Sequence, residues 1–311
     1  MGSFVIMADA TCDIPQEFKD KYDIKVIKTH ITVPGGKQLD WESDWLQYDR
    51  DEFYRDFKKN PNGFTTAPPS VGEFEAAFEE YAKQRMDILF ITMSSAMSGT
   101  FDFADQAAKE IAKKYPDIKI HCVDSRRYSS SYGLMAVHAA MKREEGLSMT
   151  QVADFIEENK NRYHQAGWMD DLNVLAKKGR LTNAKAFFGT LAGVKPIGEV
   201  DSGGMTTVLG KARGAKAAYG VLLKYMEATI ENPEDQIIFI AHTMRQAQAE
   251  AYKQMIEEKF HPKAVYVNDV FPPSGINIGT GLMAAYYTGK PITEDLSFER
   301  KIIEQALAET K

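Results

Sequence analysis

Ser94-Ser95-Ala96-Met97-Ser98-Gly99-Thr100 places four hydroxyls and a glycine directly after the apolar run Ile88-Leu89-Phe90-Ile91. Two further clusters share this composition: Thr65-Thr66-Ala67-Pro68-Pro69-Ser70, and Asp124-Ser125 with Ser129-Ser130-Ser131. Hydroxyls at a helix start suit two tasks. They cap the first turn, or they join the free N–H groups and the helix dipole in holding a carboxylate or phosphate. Residue chemistry leaves both readings open for Ser95 and Ser98. A nucleophilic serine is the sharper rival, but the nucleophile elbow needs Gly-x-Ser-x-Gly, and Ser98 is flanked at those positions by Ala96 and Thr100. Among the six histidines, only His242 follows an apolar run that brings it towards a cleft, so a triad has little to draw on.

Phosphate loops are excluded by counting. Gly204 to Ala212 has one residue too many for GxxxxGK[ST] and ends without a hydroxyl, and Gly275 to Gly281 has its glycines in the wrong order for GxGxxG. No HExxH and no His/Cys cluster supports a metal, so none is expected. Asp9 and Asp13 flank the first turn, where turn and capping roles account for them. Pro68 and Pro69 stiffen the second hydroxyl loop, which lowers the entropy lost on binding. With no evident general base, three hydroxyl loops describe a polar mouth for a small anionic head.

These loops require a sheet whose strands end together. Phe4–Met7, Ile24–Ile27, Met86–Met93 and Ile118–Val123 read as buried strands. They alternate with helices over 70–83, capped by Ser70 and Glu73 as a capping box, over 100–114 and over 133–145. Strand–helix alternation predicts a parallel, Rossmann-like α/β sheet. The remainder predicts helices over 150–163, 171–177, 212–227 and 243–259, and strands over 236–241 and 264–268. A hairpin is expected over 194–209, turning at Asp201-Ser202-Gly203-Gly204. The expected fold is therefore α/β in two domains, residues 1–150 with the parallel sheet and residues 151–311 with a mixed or antiparallel sheet and helices. The apolar, glycine-punctuated stretch 186–194 reads as core or pocket lining.

The chain has 311 residues, 44% hydrophobic and 26% charged, with net charge −6. That balance argues against nucleic acid, which needs a basic face. No apolar run reaches the roughly 20 residues of a membrane span. Two cysteines give no disulfide framework, and residues 1–13 carry no secretion signal, so a cytoplasmic protein is expected.

Taken in order, the motifs resemble the DegV family of bacterial fatty-acid-binding proteins. Asp9-Ala10-Thr11-Cys12-Asp13-Ile14 is similar to its opening Asp-Ser-x-x-Asp-Leu, and Thr66-Ala67-Pro68-Pro69-Ser70 to its Thr-Ser-x-Pro-Ser loop. Ser94 to Thr100 resembles its Ser-Ser-x-Leu-Ser-Gly-Thr. Val123-Asp124-Ser125, Lys177-Lys178-Gly179-Arg180-Leu181 and Val194-Lys195-Pro196-Ile197 follow in family order. The resemblance implies a fatty acid held between two domains, its acyl chain in a tunnel and its carboxylate on Thr66 and Ser98. Ser95, Gly99, Thr100, Ser125, Ser274 and Asn277 are the supporting candidates. It further implies a carrier without catalysis or cofactor, presenting its long-chain fatty acid to a separate kinase related to dihydroxyacetone kinases. Arg213 and Arg180 are the candidate docking residues for that partner. Asn277 stands where the family often has histidine; an amide donates to a carboxylate but carries no proton charge, which puts the kinase step in question. Two other classes of function stay open: a serine acyl hydrolase using Ser98, and a binding module for a small phosphorylated metabolite.

Overall fold

The computed structural model describes residues 4–184 and 193–310. Residues 186–192 of the apolar stretch singled out above lie outside the described residues. The first elements are β1 (Phe4–Asp9), α1 (Gln16–Tyr22), β2 (Ile24–Ile27), β3 (Thr29–Thr32), β4 (Gln38–Trp41), α2 (Arg50–Lys59) and β5 (Thr65–Ala67). There follow α3 (Val71–Lys83), β6 (Asp87–Thr92), α4 (Thr100–Lys114), β7 (Ile120–Asp124), α5 (Ser130–Glu144) and α6 (Met149–Asn159). The chain continues through β8 (Tyr163–Trp168), α7 (Asn173–Lys177), β9 (Val194–Val200), β10 (Thr206–Arg213), α8 (Gly214–Thr229), β11 (Ile237–His242) and α9 (Gln246–Phe260). It closes with β12 (Ala264–Asp269), α10 (Pro272–Ile278), β13 (Met283–Thr288) and α11 (Ser297–Glu309).

Two compact units divide the chain. One comprises residues 1–49, 62–160 and 271–274; the other comprises 50–61, 161–270 and 275–311. The division falls at 160 where the sequence suggests 150, because α6 packs on β6 and β7 of the first sheet.

The first unit holds a parallel sheet ordered β2-β1-β6-β7. Its central strands are buried on both faces, which is why β1 and β6 read as continuous apolar runs. Alternation sends Val5, Met7, Ile88 and Phe90 to the α3/α4 side, where they pack with Phe74, Phe78, Ala107 and Ile111. The other face carries α5 and α6, so the sheet is a doubly wound layer as expected. A separate antiparallel sheet, β4-β3-β5, is the second structure of this unit.

The second unit is built on one mixed sheet, β10-β9-β8-β13-β11-β12. Only β11 and β12 run parallel, joined through α9; every other pair is antiparallel. The helix expected over 150–163 ends at Asn159, because Tyr163 already pairs with Thr288 as the start of β8. β13, α2, α10 and α11 are elements the periodicity did not announce. MAAYYT, buried on both faces in mid-sheet, shows neither alternation nor a helical stripe. Gly167 in β8 is required by close strand packing: a Cβ there would sit 2.5 Å from that of Ala284.

Candidate functional site

Two of the three hydroxyl clusters stand where the parallel strands β6 and β7 end, the position at which open α/β sheets bind ligands. The third, Thr65–Ser70, is not a loop of that sheet but strand β5 of the antiparallel sheet and the turn into α3. Ser94–Gly99 links β6 to α4, and Ser125–Ser129 links β7 to α5. Asp124, the last residue of β7, ties these two loops together. Its carboxylate accepts Ser95 N at 3.0 Å, Ser95 Oγ at 2.6 Å and Arg126 N at 3.2 Å, and it pairs with Arg126 Nε at 2.7 Å. Ser95 is thereby committed to a carboxylate of its own chain. Ser125 is fully buried, its Oγ donating to Arg127 O and accepting Arg127 N, which fixes the turn into α5.

Ser98 differs from both. It is half-buried at the mouth of α4, its Oγ 2.8 Å from Thr100 Oγ1 and accepting Thr100 N at 3.3 Å. Gly99 is the N-cap and offers no side-chain cap. Ser98 is therefore a surrogate cap for the first turn, its hydroxyl shared with Thr100 and only half-buried. A Cβ on Gly99 would meet only Phe103 Cζ, at 4.0 Å, so the approach to this backbone is uncrowded.

Thr66 sits at the middle of β5, half-buried and opposite Ile31. Its strand runs through Pro68-Pro69 into the α3 cap. There Ser70 Oγ accepts Glu73 N at 3.3 Å and Glu73 Oε2 accepts Ser70 N at 2.8 Å, the expected capping box. His30 on β3 links this cap to the small sheet, with Nδ1 2.8 Å from Asp40 Oδ1 and Nε2 3.0 Å from Glu73 Oε1. The Ser70 hydroxyl and backbone N–H, with help from His30, hold the Glu73 carboxyl down to about 2. Burial opposes charge on His30, but Glu73 and Asp40 outweigh it and raise its pKa.

The β1–α1 turn is more than the capping turn its sequence suggests. Asp9 is fully buried and accepts Thr11 N at 3.0 Å, Tyr132 OH at 2.8 Å and Met93 N at 3.3 Å, as well as the Thr11 hydroxyl. Burial lifts its pKa against those donors. Asp13, also buried, accepts Ser129 Oγ at 2.5 Å and Phe271 N at 3.0 Å, and burial pushes it up to about 7. Ser274, one of the supporting candidates, donates to Thr11 O at 3.0 Å. This hub joins three loops, and residue reasoning missed it. Its sequence signal was the pair of aspartates four residues apart at the end of an apolar strand, matched by Ser129–Ser131 after β7. Gly133 permits the fit: a Cβ there would collide with Cys12 O and lie 2.9 Å from Ile14 Cγ1.

The other candidates belong to the second unit or to its edges. Asn277 is half-buried in α10. Arg213 is exposed at the last position of β10, paired with Val194. Arg180 follows α7, with its guanidinium bonded to Lys178 O and its pKa lowered by burial. His242, the histidine considered for a triad, directs Nε2 to Gln246 Oε1 at 2.7 Å and accepts Arg245 N at 3.4 Å through Nδ1. Among the described residues no group of His, Cys, Asp and Glu is arranged to hold a metal, and no helix is long and apolar enough to cross a membrane.

The family model described as "Uncharacterised protein, DegV family" matches residues 3–290. A DegV domain-containing protein of Clostridium perfringens is 32% identical over 289 residues, covering 93% of this chain and 98% of that one. The chain belongs to the DegV family. A Staphylococcus aureus DegV domain-containing protein is 27% identical over 281 residues, 90% of this chain and 97% of its own. Among solved structures, a DegV family protein of Thermus thermophilus described for fatty-acid binding superposes with TM-score 0.83 at 24% identity, over 93% of this chain and all of that one. The Streptococcus pneumoniae Fatty Acid Kinase B3 protein, loaded with linoleic acid, gives TM-score 0.78 at 19% identity, over 93% of this chain and all of its own. These likenesses show the DegV fold in this chain: a parallel sheet with helices on both faces, and a mixed sheet with its own helices.

Proposed function

We propose that this DegV family protein binds a long-chain fatty acid as a carrier, its carboxylate on Thr66 and Ser98 and its acyl chain in an apolar enclosure. The observation that carries the reading is the setting of Ser98. It is a half-buried hydroxyl at the N-terminus of a 15-residue helix, beside an uncrowded glycine, at the carboxyl end of a parallel strand. Such a position favours a carboxylate through the helix dipole and unpaired N–H groups. The Thermus thermophilus relative described for fatty-acid binding and the pneumococcal relative loaded with linoleic acid support the ligand class. Each buried CH₂ adds about 0.8 kcal/mol, so the tail supplies most of the affinity and the hydroxyls fix the head. The chain presents the carboxylate to a separate fatty acid kinase, with Arg213 and Arg180 as docking residues. Support for that step comes from the pneumococcal relative's designation as a Fatty Acid Kinase component.

Titration with a fluorescent fatty acid tests the site. Ser98→Ala is expected to weaken binding by about 1–3 kcal/mol, the loss of a hydrogen bond to a charged group. Unchanged affinity would remove Ser98 from the head-group site. Ester turnover or covalent labelling by a serine-reactive probe, abolished by Ser98→Ala, would replace the carrier with an acyl hydrolase. Purified protein carrying a phosphorylated metabolite and no lipid would favour the small-metabolite module.

A further inference from the structure

β2 closes one side of the parallel sheet, and among the described residues no strand pairs with its outer edge. Ile27 O accepts Ala10 N at 3.0 Å, so the backbone groups of Ile27, and of Lys25 two residues before it, point inward to β1. Those of Ile24 and Val26 alternate with them and point outward, where no strand, turn or side chain bonds to them. Native sheets guard such an edge with proline, a bulge or a free lysine. β2 has neither proline nor bulge, and its one lysine, Lys25, is tied to Asp23 in an ion pair. About 13 Å of strand edge is left open, the length of four residues.

A groove of about 690 Å³ runs around this edge, and every residue from Asp23 to Lys28 lines it. Ile27 packs with Phe74 and Phe78, so α3 walls the groove on that face of the sheet; α1 contacts β2 from the other. Ala77 and Tyr81 of α3 offer partly buried apolar surface to alternate side chains of an added strand. The charged lining is six carboxylates against three lysines and one histidine. Lys28 pairs with Glu42 at 3.5 Å, His30 pairs with Asp40 and Glu73 at 2.8 and 3.0 Å, and Lys19 donates to Ser43 O at 2.8 Å. Lys25 serves Asp23 directly and Glu80 only through space. Asp20 on α1 has an amide partner, Gln16 Nε2 at 2.7 Å, and no ion pair. Two unpaired carboxylates, Asp20 and Glu80, therefore flank the open edge from its two faces.

We propose that the β2 edge is a docking site for an extended, lysine- or arginine-bearing segment of another protein, which adds to the parallel sheet as a fifth strand. Main-chain hydrogen bonds to Ile24 and Val26 supply the binding, and the carboxylates of Asp20 and Glu80 select a basic partner. The same charges disfavour a second copy of this chain, since two β2 grooves would meet acid to acid. They disfavour a nucleic acid or an anionic lipid surface as well. None of the residues assigned to the fatty acid lines this groove.

The probe is a fluorescein-labelled nine-residue peptide of alternating lysine and valine with blocked ends, titrated into the full chain by fluorescence anisotropy. Saturable binding is expected, with amide exchange at Val26 slowed about tenfold as its N–H gains an acceptor. Val26→Pro removes that donor at an edge position where proline is tolerated, and is expected to weaken binding about tenfold. Asp20→Lys combined with Glu80→Lys is expected to weaken it about tenfold as well, through lost attraction and new repulsion. A probe methylated on two consecutive central backbone nitrogens keeps every charge, obstructs both of its edges, and is expected not to bind. No binding of the first probe, or binding with Val26 exchange unchanged, overturns the proposal. Equal binding of the methylated probe reduces the site to charge attraction and overturns strand addition. Equal binding of a glutamate–valine peptide overturns the basic partner. A dimer in sedimentation that Val26→Pro dissolves gives the edge to a second copy and overturns the proposed occupant. Should Val26→Pro fail to fold, the methylated probe and Val26 exchange decide.

Discussion

Each unit contains a fully buried polar network, and the two are built in opposite ways. In the second unit, His164 on β8 and Glu199 on β9 meet inside the sheet. His164 Nδ1 lies 3.1 Å from Glu199 Oε2, Nε2 lies 2.9 Å from Lys290 O, and Glu199 Oε1 accepts Gln165 N and Val200 N at 2.7 and 2.8 Å. Tyr225 OH adds 3.2 Å to Glu199, and Tyr287 stacks on the imidazole. Both imidazole nitrogens and both carboxylate oxygens have partners, all of them on strands or α8 except Lys290 O just beyond β13, so this network is closed. In the first unit the corresponding groups lie on loops at strand ends. There a carboxyl such as Asp13 is shared among three segments, and a hydroxyl such as Ser98 remains half-buried. Polar groups inside a sheet specify packing; the same chemistry at strand ends retains capacity for a ligand or a proton.

The largest expected effect is at the closed network. Glu199→Ala strands two backbone donors and a buried imidazole, and urea unfolding is expected to show a loss of about 3–5 kcal/mol. A loss below about 1 kcal/mol would make the two networks alike in tolerance. Next comes Gly133→Ala in the loop-built hub. Ala gains helix propensity of up to about 1 kcal/mol, but its Cβ meets the Cys12 carbonyl, so a net loss of about 1–3 kcal/mol is expected in the same assay. A stabilised variant would mean that the turn yields freely.

Smaller still is Glu73→Ala, which removes half of the capping box and one partner of His30. About 1 kcal/mol is expected, since the site is partly exposed and its ion pair is screened. Its pH profile is diagnostic. His30 has a raised folded pKa, so its stabilisation is fully present below the unfolded value of about 6.5 and is lost as pH rises through the folded one. Glu73, held down to about 2, contributes above its unfolded value near 4.5 and loses that contribution as pH falls towards 2. Thermal unfolding from about pH 3 to 9 should therefore narrow the gap between the unaltered protein and Glu73→Ala at both ends. A constant gap would disconnect the cap from His30.

Much of the first unit was legible because buried parallel strands and capped helices have local signatures. Phe4–Met7 and Ile88–Ile91 are continuous apolar runs, and Ser70 with Glu73 is a capping box three residues apart. The second unit was less so. β13 is a central strand whose small and aromatic residues carry no period, and the 150–163 helix lost its last turn to β8, whose Tyr163 pairs with Thr288 of β13, 125 residues away in sequence. Ser98 and Thr66 are candidates from composition and resemblance together, whereas Asp9 and Asp13 read as turn residues until their partners Tyr132, Ser129 and Phe271 were in view.

The sequence by itself determined the strand–helix alternation, the hydroxyl loops after strands, and the absence of phosphate-loop and zinc-protease motifs. These follow from patterns shorter than a turn or a strand. Tertiary structure alone decided which hydroxyls bond to distant segments and which bond locally. Ser95 and Ser98 stand three residues apart with the same side chain, yet Ser95 is bound to Asp124 from the neighbouring strand while Ser98 bonds only locally, to Thr100 at the start of its own helix. It likewise decided that Asp13 anchors a segment 258 residues away. Hydrogen-bond partners from distant segments and burial set a group's charge and availability, and neither is a property of the residue or its immediate neighbours.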